Sequence, residues 1–207
     1  GTVLHPSVLE FSADAPGGIE RHTEARLYEL NHRMGNYPSV LFVNGAEGDV
    51  APIKDSQHDG IVIEEIGASY AQQAVAALPK ARLIKPTWSY KYETVQLGSP
   101  YLRLQGCMGS GFIRWLVWGG LYLDVRMFLP KRTQITAIQL GDMLMMTWPG
   151  EPTTALGLQL KEIAAKAGAK QSWVLGLTND HLSYFVTPEE YGNGGYETCS
   201  SLYGPNG

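Results

Sequence analysis

Cysteine is scarce in this chain: two in 207 residues, Cys107 and Cys199. That excludes a disulfide framework and leaves room for a single bridge. Charge is thin as well, at 17% of residues, and the formal net charge of -4 shows no basic surplus. A phosphate-binding surface is therefore excluded, and nucleic acid with it as a partner. No uninterrupted apolar run is long enough to span a bilayer. The longest stretch, 112–129, contains Arg114, Asp124 and Arg126, and each charge at bilayer depth costs about 3 kcal/mol. Its Trp115, Trp118, Tyr122 and Phe128 suit a segment buried under a loop, and alternatively an apolar groove or contact with a membrane surface. There is no initiator methionine and no charged leader before an apolar core, so no targeting peptide is visible. The chain opens on what reads as a strand and stops without a terminating element. A fragment or one piece of a processed chain is expected. Internal repeats, low-complexity tracts and linkers are also lacking, so residues 1–207 read as one domain.

What is present is ample apolar material, 44% of residues, with 24 glycines and 12 prolines to make sharp turns. A short strand is expected over 2–4, ending at His5-Pro6. Ser12-Ala13-Asp14-Ala15-Pro16 supplies a helix start. Apolar positions Ile19, Leu27, Leu30 and Met34 carry the helical pattern over 18–34, and Gly35-Asn36 closes it. The continuous run Ser39-Val40-Leu41-Phe42-Val43 predicts a strand buried on both faces. A second helix is expected over 62–78. Trp88, Tyr90 and Tyr92 alternate with polar residues, the pattern of a half-exposed strand. Strands at 133–140 and 143–148 flank Gly141-Asp142, a tight hairpin in which Asp142 is only the turn residue. A helix over 153–167 and a buried strand over 172–177 follow. This alternation predicts an α/β fold: a layered domain with a central mixed sheet flanked by helices.

In such sheets ligands collect beyond the carboxyl ends of strands. Four expected strand exits carry polar residues: His5, Asn44 to Asp49, Glu151, and Asn179 to Tyr184. Within the second, Gly45 and Gly48 either let backbone N–H groups approach a substrate or permit positive φ. Asp49 either orients a ligand or shapes its own turn. His181 reads as an exposed loop histidine, with a substrate or metal contact as the other reading. His22, His32 and His58 receive no role, and Glu189 and Glu190 are taken to solvate a short turn after Pro188.

At these loops the sequence resembles the neutral/alkaline (non-lysosomal) ceramidase family. The matching pieces are Leu4-His5-Pro6, Ser12-Ala13-Asp14, Asn44-Gly45-Ala46-Glu47-Gly48-Asp49-Val50-Ala51-Pro52, Trp148-Pro149-Gly150-Glu151-Pro152-Thr153-Thr154, Gly176-Leu177-Thr178-Asn179, Pro188-Glu189-Glu190-Tyr191, Tyr196-Glu197 and Ser201-Leu202-Tyr203-Gly204-Pro205. Their order and spacing carry the likeness, which is weakest over 53–131. The resemblance implies part of a larger catalytic domain, truncated at both ends, and one zinc ion held by two His, one Glu and one Tyr. His5, Glu151 and Tyr184 match three of these ligands. The other histidine is expected from another chain or chain segment. The resemblance further implies catalytic parts for Asp49, for the position of Ala51, and for Tyr196, whose hydroxyl would bond the reacting carbonyl oxygen. Ala51 stands where the family has serine, and alanine has no oxygen with which to attack or donate.

The implied activity is zinc-dependent amide hydrolysis, cleaving N-acyl sphingosine (ceramide) or a similar N-acyl lipid to a fatty acid and an amino alcohol. Zinc suits that reaction because it polarises the carbonyl and lowers the pKa of bound water towards about 7. The implied location is secreted or extracytoplasmic. The alternative reading is a catalytically inactive, ceramidase-like extracellular binding or structural protein, suggested by Ala51.

Overall fold

The computed structural model describes residues 3–4, 11–31, 35–51, 59–84, 87–103 and 122–206. These fall into two compact units, 1–43 with 51–83, and 44–50 with 84–207.

The first unit is built on two packed helices, α1 (Asp14–Leu30) and α2 (Asp59–Ala77), the latter followed by a 3-10 turn at Leu78–Lys80. The first helix starts four residues before the expected boundary, because Pro16 is tolerated in a first turn whose N–H groups lack intrahelical partners. Close packing depends on small residues: a Cβ on Gly18 would lie 2.8 Å from the carbonyl oxygen of Ile63, and one on Gly67 would lie 2.6 Å from that of Gly18. Val3, Val62 and Ile63 form the small core, with Leu4, Ala15 and Ile66 against it.

Two expected strands are not observed here. Val3 and Leu4 lie in a bend, and their N–H groups donate to the Asp14 carboxylate at 3.0–3.1 Å rather than to a ladder. Residues 39–43 likewise form no strand. The N–H groups of Val40 and Phe42 donate to Glu24 and Glu20 of α1 at 3.0 and 2.8 Å, while Leu41 is 82% exposed. The apolar run predicted burial, but carboxylates took the backbone donors that a neighbouring strand would have used.

The second unit holds a four-stranded mixed sheet in the order β1 (Trp88–Gln96), β4 (Arg132–Leu140), β5 (Met143–Thr147), β7 (Gln171–Leu175). The first three are antiparallel and the β5–β7 pair is parallel. Leu140 pairs with Met143 around Gly141, whose φ of +56° gives the expected hairpin its tight turn. Asp142 does more than turn the chain, since it holds an ion pair with Lys170 at 2.8 Å. The β1 strand is more open than expected: Trp88, Tyr90 and Tyr92 are exposed, and so are the polar residues between them. Helix α3 (Thr154–Lys166) packs on β7 and begins as expected, with the side chain of Thr153 accepting from the N–H of Leu156.

Two further ribbons complete this unit. An antiparallel pair joins β2 (Tyr101–Arg103) to β3 (Tyr122–Asp124), and a parallel pair joins β6 (Glu151–Pro152) to β8 (Tyr184–Phe185). Short helices α4 (Pro188–Asn193) and α5 (Tyr196–Cys199) follow, then a 3-10 turn at Gly204–Asn206. Leu182, Phe185 and Tyr203 form the buried core beneath them, packed by Trp148, Leu156 and Leu202. Cys199 is disulfide-bonded, while Cys107 lies outside the described residues. Among the described residues no helix is long and apolar enough to cross a membrane. The fold is thus mixed α/β, with a mixed sheet and helices.

Candidate active site

The β6–β8 ribbon is only two residues long on each side, yet its register brings the site together. Glu151 pairs directly with Tyr184, and Pro152 with Phe185. Pro-Gly-Glu-Pro is suited to so short a parallel contact, because prolines on either side of Glu151 cannot continue a ladder as donors. The N–H of Glu151 donates to Ser183 at 2.9 Å.

The phenol of Tyr184 lies close enough to the Glu151 carboxylate and to Tyr196 for both to act on its ionisation. Burial, then the negative charge of Glu151, holds this phenol well above the usual tyrosine range. The ring of Tyr196 meets that of Tyr184 edge-on, with centroids 5.4 Å apart. Tyr196 begins α5 and is 67% exposed. His181 places Nε2 3.7 Å from Oε1 of Glu151, too far for a hydrogen bond.

The loop leading from β7 to Tyr184 is conformationally costly. Leu177, Asn179 and Ser183 have φ of +52°, +76° and +67°, and non-glycine residues in that region cost on the order of 1–3 kcal/mol each. Backbone bonds hold it: Leu177 to Gly150, Thr178 to Trp148, and Leu182 to Pro149. Asn179 adds a side-chain bond to the carbonyl of Gln134 at 3.0 Å, and Asp180 one to Thr133.

The 44–50 loop packs beneath β6. The N–H of Gly48 donates to Pro152 at 2.9 Å, so this amide serves the loop's seat rather than a substrate. Asp49 accepts from both the N–H and the hydroxyl of Thr154, at 2.7 and 2.8 Å, which caps the start of α3 through one oxygen. Glu47 carries no role in the sequence reading, yet among the described residues its Oε1 is buried without a hydrogen-bond partner. Burial raises its carboxyl above the usual range, and the charge of Glu151 adds to the effect. A lone glutamate between small residues, Ala46 and Gly48, was the available signal.

Glu190 is the other residue misread. Its Oε2 accepts from the N–H of Thr187 and from the hydroxyl of Thr153, both at 2.8 Å, and completes a capping box. It therefore ties α4 to the Thr153 cap of α3 instead of solvating a turn. Glu190→Ala should cost about 1–3 kcal/mol, the range for losing charge-assisted bonds to buried partners; chemical denaturation measures it. A midpoint equal to the parent's would contradict this assignment.

His5 lies outside the described residues. Ala51 is exposed and belongs to the first unit, where it offers only a methyl group. Among the described residues no group of three His, Cys, Asp or Glu side chains is placed to hold a metal. The donors that do converge are a carboxylate and a phenol, with an imidazole just beyond. Their chemistry fits zinc, which accepts nitrogen and oxygen ligands, and Glu151 and Tyr184 are the residues that could hold it.

The known proteins similar to this chain include ceramidases. A family profile described as "Neutral/alkaline non-lysosomal ceramidase, N-terminal" matches residues 116–207. A neutral ceramidase of Drosophila pseudoobscura pseudoobscura is 37% identical over 83 aligned residues, covering 37% of this chain and 12% of that protein. One from Mycobacterium tuberculosis is 36% identical over 80, covering 37% and 13%. The aligned segments thus span about an eighth of the curated relatives' length. In structure, the chain superposes on a ceramidase complexed with C2 with a TM-score of 0.75 at 15% identity, covering 98% of this chain and 41% of that one. The neutral ceramidase of Pseudomonas aeruginosa gives 0.73 at 18% identity, covering 98% and 39%. The fold is like that of part of a ceramidase. Over residues 116–207, which contain Glu151, Tyr184 and Tyr196, the chain is similar to the neutral/alkaline non-lysosomal ceramidase family.

Proposed function

We propose that this chain is the zinc-binding part of an amide hydrolase that cleaves N-acyl sphingosine, or a similar N-acyl lipid, to a fatty acid and an amino alcohol. The observation that carries the reading is the direct pairing of Glu151 with Tyr184 in a segment matched to the family. Glu151, Tyr184 and His5 hold the metal, and a further histidine comes from another chain or chain segment. Zinc, when bound, polarises the amide carbonyl and makes water a better nucleophile at neutral pH. Tyr196, exposed beside Tyr184, donates its hydroxyl to the carbonyl oxygen as negative charge grows there. Asp49 fixes the 44–50 loop on α3 with one oxygen and orients substrate or water with the other. The family resemblance supports a location outside the cytosol, and a lipid amide substrate would be met at or near a membrane surface.

Release of fatty acid from an N-acyl sphingosine is the test. Activity should vanish with a chelator and return with added zinc; turnover unaffected by chelation would overturn the metal's part.

A second reading rests on Ala51, which leaves a hydroxyl-free position in Gly48-Asp49-Val50-Ala51. On that reading the chain is an inactive extracellular binding or structural protein. Ala51→Ser separates the two. If water is the nucleophile, turnover changes by less than about tenfold. A rise of roughly 100-fold or more would show that the hydroxyl is what the reaction needs, and would favour the inactive reading for the parent chain.

A further inference from the structure

We propose that the outer edge of β1 pairs with the same edge of a second copy of this chain, antiparallel and centred on Tyr92, joining the two four-stranded sheets into one. The inference does not depend on the zinc reading. β1 stands at the end of the strand order and, among the described residues, has β4 as its only neighbour. It pairs with β4 through nine consecutive residues in one register, without a bulge or a proline. The flanking bonds, from the N–H of Leu97 to Lys131 and from the N–H of Gly141 to Thr87, are both 2.9 Å and continue that register. They fix its alternation. Odd-numbered residues of β1 exchange bonds with β4, so the N–H and C=O groups of Trp88, Tyr90, Tyr92, Thr94 and Gln96 point outward. All of β1 except Val95 is exposed, so nothing in the chain covers this edge. Soluble proteins usually blunt such an edge with a proline, a bulge or a short strand, and β1 has none of these.

Charge selects the occupant. An antiparallel partner must set outward-bonding residues against each other, so the even-numbered positions of two copies face one another. With Tyr92 opposite Tyr92, Tyr90 faces Thr94 and Trp88 faces Gln96. Lys91 of each copy then stands opposite Glu93 of the other, at non-hydrogen-bonded pairs, where side chains come closest. The next allowed register in either direction centres the contact on Lys91 or on Glu93 and opposes like charges, which is destabilising. This is therefore the central register that opposes unlike charges, and it does so twice, as an isologous two-fold contact requires. The exposed rings of Trp88 and Tyr90 already stack, with centroids 5.8 Å apart. Pairing adds a cross-strand contact between the two Tyr92 rings on the same face.

Sedimentation equilibrium of the 207-residue chain over a concentration series, with hydrogen exchange on the same samples, tests this. The parent should pass reversibly from monomer to dimer. As it does, the amides of Tyr90, Tyr92 and Thr94 should gain protection, while those of Lys91 and Glu93 are protected throughout. Tyr92→Pro removes an outward N–H and no bond to β4, so it should keep the circular dichroism of the parent and abolish the dimer. Lys91→Glu and Glu93→Lys should each weaken dimerisation at least about tenfold, and the double variant should restore it. Should the proline variant misfold, the charge reversal and its rescue decide alone. A parent that stays monomeric throughout overturns the proposal and leaves the edge to an extended segment of another chain. A dimer untouched by the single charge variants overturns it by placing the contact elsewhere. A double variant as weak as the singles overturns the Tyr92-centred register.

Discussion

Glu151→Gln should abolish metal retention and lower amide hydrolysis by about 10³-fold, while leaving the fold intact. Glutamine keeps the size of the side chain and an oxygen that can accept from Tyr184, so the β6–β8 pairing and the Glu151 N–H bond to Ser183 survive. What it loses is negative charge. A single electrostatic contact in a preorganised site is worth about 10²–10³ in rate, and here the same carboxylate also retains the cation. A second readout needs neither metal nor substrate. The charge of Glu151 helps hold the Tyr184 phenol above its ordinary range, after burial as the larger cause. In the metal-free variant, Tyr184 should therefore ionise at lower pH than in the parent, followed by ultraviolet difference titration. An unchanged phenol titration would mean that the two side chains do not interact. Full activity in the variant would remove Glu151 from the chemistry.

Gly48→Ala should be the most damaging change at a residue with no chemistry of its own. A Cβ at this position would lie 2.7 Å from the carbonyl oxygen of Glu151 and 3.1 Å from the carbonyl carbon and oxygen of Pro152. All three are backbone atoms, so no side chain can swing aside. The 44–50 loop would have to lift from β6, straining the 2.9 Å bond from Gly48 to Pro152. It would also carry Asp49 away from Thr154. Overpacking of this kind costs about 1–3 kcal/mol, and each kcal/mol lowers Tm by roughly 2–4 °C at this chain length. Metal affinity should fall as well, because the displaced contact is the backbone of Glu151. A thermal melt and a zinc titration of the same sample check both. A variant with parental Tm and parental affinity would show that the loop seat is not what positions Glu151.

Much of the fold was legible wherever a signal was local. The α3 start was readable from Pro152-Thr153, since the Thr153 cap needs only the next turn. The β4–β5 hairpin was readable from Gly141-Asp142 between two apolar runs. Thr187-Pro188-Glu189-Glu190 also carries a local signal, a capping box with proline at its start. Signals failed where a distant partner decided the outcome. The 39–43 run looked like a buried strand until Glu20 and Glu24 took its N–H groups. Glu47 looked like any loop carboxylate until the packing buried its Oε1.

The candidate site shows the same division. Expected strand exits pointed to Glu151 and to the stretch from Asn179 to Tyr184, but roles for Glu151, Tyr184 and Tyr196 came only through the family resemblance, because no spacing rule links Glu151 to a partner 33 residues away on a two-residue ribbon. The register of that ribbon supplies the missing step, by setting carboxylate beside phenol. Nor could sequence reveal that Asp49 spends one oxygen on Thr154, 105 residues away.

X-ray absorption at the zinc edge of the purified, extensively dialysed chain tests the central claim most directly. The account predicts one zinc per chain, surrounded only by nitrogen and oxygen at about 2.0–2.2 Å, and no zinc in Glu151→Gln. A parent chain that retains no zinc would contradict it, as would a shell of sulfur near 2.3 Å.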